Sequence, residues 1–304
     1  MSAAPAGTET VDARYAGLDI WGDATILSAL LEGQQRALQS VAPAIPALGT
    51  AARLAAESLA GGGRLIYLAA GSPALIALGD ALEIPQTYGV PRDRILLLFA
   101  GGHAITHDLT GVDEDNAELA QRDVAAADVG PGDCLIAISA SGSTPYTVAG
   151  LGAARGAGAA TVGIAGNADA PLLAAAEVPV LLDAGAEVIS GSTRMGAGTA
   201  QKAALNMLST LVGVRLGHVH DGLMVNVRAD NEKLRGRAAR IVSTIAGVDI
   251  GAARRALETS DGEVKPAVLI AAGAEGPAEA EKLLGQTKGN LRAALGLLGA
   301  ATPA

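Results

Sequence analysis

Five short, nearly uninterrupted apolar runs limit what this chain can fold into: Leu65-Ile-Tyr-Leu68, Ile95–Phe99, Cys134–Ile138, Thr161-Val-Gly-Ile164 and Val178–Leu182. A strand with one wet face alternates apolar and polar residues; a run that does not alternate must be covered on both faces. The runs begin about 15 to 40 residues apart, and stretches with helical spacing lie between most of them. Parallel strands need such crossovers. The pattern predicts an α/β fold, a doubly wound parallel sheet flanked by helices. Pro179 lacks the N–H a central ladder requires, which places the last run at a sheet edge. Aromatics are only 2% of the chain and glycines number 40, as suits small side chains and closely packed helices.

The rest of the chain is organised around this sheet. Residues 1–22 are polar and read as an extended N-terminal arm. Ile26, Leu27, Leu30, Leu31, Leu38, Val41, Leu54 and Leu59 keep helical spacing up to the Gly61-Gly-Gly63 break. A long helix is expected over Thr193–Leu216. After about Gly247 the pattern becomes short helical pieces between turns. The predicted division is therefore an arm over 1–22, a sheet domain with N-terminal helices over 23–246, and a small module of about three helices over 247–304.

The formal net charge of −9 and the lack of a basic stripe argue against nucleic acid as a partner. One cysteine cannot build an internal disulfide framework and fits a reducing cytoplasm. Cys134 lies inside a strand-like run and reads as core. No basic segment leads into an apolar one at the N-terminus, and Gly71, Pro73, Gly79 and Asp80 interrupt the most apolar stretch. A soluble cytoplasmic protein with no membrane partner is expected. His103 and His107 have no metal-ligand set at recognisable spacing, and no nucleotide-binding glycine motif is present. No metal or cofactor is expected.

The stretch after the third run, Ile138-Ser-Ala-Ser-Gly-Ser-Thr144, holds the densest cluster of hydroxyls. In open α/β sheets ligands bind beyond the carboxyl ends of the strands. A helix starting near Tyr146 would offer its free N–H groups to a phosphate, with Ser139, Ser141, Ser143 and Thr144 as further donors. The alternative is a serine-rich helix cap, for which one hydroxyl suffices. Ser72 after the first run, and Ser190 and Ser192 before the long helix, form two similar turns. Ser192 or Thr193 is a candidate N-cap for that helix. Three hydroxyl turns around one crevice suit a phosphosugar.

Several segments are long and unusual: "GGGRLIYLAAG", "ALEIPQTYGV", "ISASGSTPY", "AEVISGSTRMGAGTAQKAALNMLST" and "GLMVNVRADNEKLRGRAARIV". Together they resemble the N-acetylmuramic acid 6-phosphate etherases, sugar-isomerase-type (SIS) proteins related to the glucokinase regulatory protein. The resemblance runs from about residue 60 to the end. "GNLRAAL" in the C-terminal part is similar to the family's small ubiquitin-associated-like (UBA-like) helical module. The resemblance implies a five-stranded parallel sheet and a cytoplasmic homodimer with the sugar phosphate between subunits. It also implies lyase-type cleavage of the C3 D-lactyl ether, a step of amino-sugar catabolism and peptidoglycan recycling.

The same resemblance assigns roles. "ALEIPQTYG" is similar to the family's "ASECPPTYG" and puts the proton donor on Glu83. "TGVDEDN" puts the base on Glu114. Glu187, Asn231 and Lys233 match positions near the sugar. Taken alone, Glu83 reads as an ordinary helix-end carboxylate, Glu114 as part of a solvated acidic loop, and Glu187 as a surface residue. Two residues apart on a helix point apart, so only one of Asn231 and Lys233 is expected at the ligand. His218 and His220 read as turn or interface residues.

The sequence also departs from the family. Gly71-Ser-Pro-Ala-Leu75 stands where "GTSGR" is usual, Ser141-Gly-Ser-Thr144 where "SGRT" is usual, and His103 where a glutamate is usual. These departures leave two readings besides the etherase: a non-catalytic phosphosugar sensor, and an aldose–ketose isomerase on the same fold.

Overall fold

The apolar runs become strands, and the glycine and proline breaks between them become turns. A computed structural model describes residues 7–109, 111–229 and 231–299. The chain divides into two compact units. One contains the chain through Ala81 together with Asp93–Thr210, the other Leu82–Arg92 together with the chain from Leu211 onward.

In the first unit, β1 (Leu65–Ala69), β2 (Ile95–Phe99), β3 (Cys134–Ile138), β4 (Ala160–Ala165) and β5 (Val178–Leu181) form one parallel sheet in the order β2-β1-β3-β4-β5. β1 and β3, covered on both faces, are buried at every residue, and the interior strand β4 at all but its first. β5 is an edge strand with Pro179 exposed, as the missing N–H requires. Cys134 is fully buried, and burial, ahead of Glu177 and Asp133, pushes its thiol up to about 12.

Side chains alternate along a strand, and the two faces of the sheet are covered by different helices. Ile66, Leu68, Leu135 and Ala137 face α4 (Ala117–Ala126), α5 (Pro145–Gly156) and α6 (Pro171–Ala175). On the other face the Tyr67 hydroxyl donates to Asp80 Oδ2 (2.8 Å) in α3 (Gly71–Tyr88). Asp80 also accepts from Asn206 Nδ2 (2.7 Å) and Ser209 Oγ (2.9 Å) of α7 (Gly196–Arg215). This buried carboxylate, satisfied by three neutral donors, fixes α3 and α7 on β1; the sequence reading treated Asp80 only as a break in an apolar stretch. α2 (Ile45–Ala60) packs on β1, β3 and β5, and α1 (Asp23–Gln39) precedes it.

Pro85 cannot donate to the carbonyl of Ala81, four residues back, so α3 lacks one backbone bond where the division between the units falls. The helix nevertheless continues to Tyr88, so Glu83 lies within it rather than at its end.

The second unit holds a short antiparallel pair, β6 (Val219–His220) and β7 (Leu223–Met224), followed by α8 (Glu232–Ala246), α9 (Ile250–Thr259), α10 (Val264–Ala271), α11 (Pro277–Gln286) and α12 (Leu291–Leu297). Its core joins Val225, Leu234, Val242, Val268 and Leu291. Gly247, at φ 67°, ends α8. Among the described residues four helices follow it, one more than the spacing predicts, because Gly289-Asn290 both turns the chain and caps α12.

Two further expectations are corrected. Residues 7–20 are not extended; they make three single 3-10 turns, with Thr8 buried, and residues 1–6 of the expected arm lie outside the described residues. α7 begins at Gly196, so neither Ser192 nor Thr193 caps it.

Candidate functional site

The strand order changes direction between β1 and β3. From β1 the chain moves outward to β2, and from β3 it moves the opposite way to β4. Their carboxyl ends, Ala69 and Ile138, are register partners. Connections leaving in opposite directions open a crevice at such a point. α3 starts there at Gly71, and α5 starts there after the serine turn.

The serine turn is built from its own hydroxyls. Ser139 Oγ accepts from the Gly142 N–H (3.0 Å) and pairs with Thr144 Oγ1 (2.9 Å). Ser141 Oγ accepts from Ser143 N (3.2 Å) and from Ser143 Oγ (3.0 Å). Gly142 has φ 75°, and a Cβ there would collide with those of Ala165 and Ala170. Thr144 precedes α5 without a side-chain cap bond, so the hydroxyls do not serve as a simple helix cap. Asn167 Nδ2 donates to the Ser141 carbonyl (2.8 Å) and fixes the turn from the β4 side.

Glu114, from the segment between β2 and α4, reaches the same end of the sheet. Its carbonyl accepts from the Tyr146 N–H (3.0 Å) in the first turn of α5. Its carboxylate lies against Gly71, where a Cβ would come within 2.7 Å of Oε1. Burial, and secondarily Asp115, raises its pKa above the ordinary carboxylate value. Glu114 is thus part-buried and held beside the N-termini of α3 and α5, not in a solvated loop. Ser72 follows Gly71 in the first turn of α3.

The third hydroxyl turn is arranged differently from the sequence reading. Glu187, 4% exposed, accepts from Gly196 N and Ala197 N, both at 2.8 Å. A carboxylate therefore caps α7 from nine residues upstream, and both its oxygens are committed to backbone. Ser190 Oγ donates to the Glu9 carbonyl (2.9 Å), and Ser192 is half-buried nearby.

In the second unit, Glu83, Gln86, Thr87, Asn231, Lys233 and Arg237 line a cavity of about 410 Å³. Asn231 and Lys233 both reach it, although helical spacing predicts only one. Asn231 is the N-cap of α8 with extended backbone, its Oδ1 accepting from Leu234 N (2.9 Å), so the rule for residues inside a helix does not govern it. Arg237, one turn beyond Lys233, was missed by the sequence reading; its i, i+4 spacing from Lys233 was the available signal. A larger cavity of about 530 Å³ beside Lys265 contains none of the predicted site residues. His218 is half-buried, and His220 is buried on β6.

A doubly wound parallel sheet with a hydroxyl turn at its switch point defines a class, and residues 31–166 match the SIS domain family model. The chain is 45% identical to an N-acetylmuramic acid 6-phosphate etherase of Deinococcus radiodurans, covering 96% of each chain. It is 48% identical to one of Symbiobacterium thermophilum, over 78% of this chain and 79% of that one. The protein belongs to the N-acetylmuramic acid 6-phosphate etherase family. Among solved structures, a phosphoheptose isomerase from Francisella tularensis aligns with TM-score 0.49 and 15% identity, over 64% of this chain and all of that one.

Proposed function

We propose that the protein is an N-acetylmuramic acid 6-phosphate etherase, a carbon–oxygen lyase that releases D-lactate and leaves N-acetylglucosamine 6-phosphate. The observation that carries this reading is Glu114: a part-buried carboxylate with a raised pKa, fixed at the switch point beside a turn suited to phosphate.

In the open-chain sugar the C1 aldehyde acidifies the C2 proton. Glu114 takes that proton; a base whose pKa lies nearer the working pH is the stronger one. The C3–O bond breaks as Glu83 protonates the ether oxygen, releasing lactate and leaving a C2–C3 double bond. Water then adds its hydroxyl at C3, and a proton returns to C2. Ser139, Ser141, Ser143, Thr144 and Ser72 hold the phosphate and so position the sugar. Asn231 and Lys233 contact the ligand beside Glu83. Glu187, Ser190 and Ser192 shape the start of α7.

The active form is a homodimer. Leu27, Leu31 and Leu38 lie on one face of α1 and are 64%, 59% and 53% exposed, as fits a surface that a second copy covers. We place the protein in the cytoplasm; among the described residues no helix is long and apolar enough to cross a membrane. The helices after Gly247 form a UBA-like module.

The test is D-lactate release from N-acetylmuramic acid 6-phosphate by the purified protein, with Glu83→Ala alongside. Release by the wild type and none by the variant is expected. Binding of the sugar phosphate without release would replace the enzyme with a sensor.

A further inference from the structure

The cavity around Glu83 carries more positive charge than a neutral ether needs. Lys233 and Arg237 are four residues apart on α8 and both line it, with Glu83 the only acid among the described residues of its lining. Among the described residues neither cation has a hydrogen bond or an ion pair, although Arg237 is half-buried. Two like charges at this spacing repel, and a partly desolvated guanidinium without a partner is costly. Among the described residues, no anion is paired with these two cations.

Resting on the etherase reading, we propose that Arg237, with Lys233, holds the carboxylate of the substrate's lactyl group. That carboxylate carbon is two bonds from the ether oxygen, so the group that protonates the oxygen necessarily has the carboxylate beside it. Once it has given up its proton, Glu83 alone would repel this neighbour. A guanidinium presents two parallel N–H donors that match a carboxylate. It also offsets the charge that develops on the lactyl oxygen as the C3–O bond breaks. In the proposed function the phosphate is bound by the serine turn, which leaves these cations to the second anion. Arg237 is thereby a specificity residue: it selects sugars that carry an acidic ether.

The test compares wild type, Arg237→Met, Arg237→Lys and Lys233→Met. The substrates are N-acetylmuramic acid 6-phosphate and its lactyl amide, which lacks the negative charge. Binding of N-acetylglucosamine 6-phosphate, which lacks the lactyl group, is measured by calorimetry. The wild type is expected to prefer the acid over the amide by at least about tenfold in kcat/KM, a preference that collapses in Arg237→Met and partly returns in Arg237→Lys. Affinity for N-acetylglucosamine 6-phosphate should stay within about twofold in every folded variant, since that ligand offers Arg237 no carboxylate. An equal loss of that affinity assigns Arg237 to the phosphate and overturns the proposal, as does an unchanged acid-to-amide ratio. Should Arg237→Met not fold, Lys233→Met and Arg237→Lys carry the same comparison. No lactate release by the wild type refutes the etherase reading itself, and this subsite with it.

Discussion

The carboxylate of Glu114 is packed against the Cα of Gly71: a side chain at residue 71 would sit 2.7 Å from Oε1. Gly71 also has φ 61°, a left-handed conformation that side chains disfavour. One glycine thus both opens α3 and leaves room for an acid at the switch point. Gly71→Ala should retain the fold, at a cost of about 1–2 kcal/mol for the left-handed alanine. Displacing Glu114 by even 1 Å should lower kcat/KM by about 100-fold. Parallel thermal melts and lactate assays separate the two effects.

The raised pKa of Glu114 predicts a pH profile. The base works only when deprotonated, so the acid limb of kcat/KM should lie above the ordinary carboxylate range. Burial is the larger cause and Asp115 the smaller. Asp115→Asn removes the smaller one and should move the limb to lower pH, with a small fall in the plateau as the base weakens. A limb that stays put would mean a different group is titrating.

Glu187 should matter through the helix it caps. Glu187→Ala leaves the Gly196 and Ala197 N–H groups unpaired at a buried helix start. The loss should be about 1–2 kcal/mol, as for other caps, read as a lower urea midpoint with an unchanged slope.

Asp80 gathers three donors, two of them buried and one part-buried. Asp80→Ala strands the Tyr67 hydroxyl and Asn206 Nδ2 and leaves Ser209 Oγ only its long bond to the Asn206 carbonyl (3.4 Å). At about 1–3 kcal/mol per unpaired group, this variant should be among the most destabilised single substitutions in the first unit. Asp80→Asn keeps one acceptor and should cost less, which urea titration of the two variants can establish.

His218 makes the second unit sensitive to mild acid. Burial, and then Lys265, pushes its imidazole down to about 4 from an ordinary 6.5. The unfolded chain therefore binds a proton that the folded chain refuses between these values. Stability from this residue is intact above about pH 6.5 and is lost progressively as pH falls toward about 4. His218→Gln should flatten the dependence of the melting temperature on pH across that window.

Much of the fold was legible because it rests on local patterns. Runs that do not alternate must be buried on both faces, and the five runs became the five strands. Pro179 marked the edge for the same local reason. The serine turn was recognisable because hydroxyls clustered at one strand end. The roles of individual acids were less legible. Glu114 reads as solvated in its acidic stretch, yet it is part-buried against Gly71 and the start of α5. Glu187 reads as a surface residue, yet its partners are nine and ten residues away. Asp80 reads as an interruption, yet its partners lie 13 to 129 residues away.

The sequence by itself determined the strands, their parallel arrangement and the turn that closes β3, because burial period and turn chemistry act over a few residues. Tertiary structure alone decided how deeply each carboxylate is buried and which groups it meets. The pKa and partners of a charged group depend on what the fold brings within a few ångströms of it, and residues distant in the chain supply those neighbours.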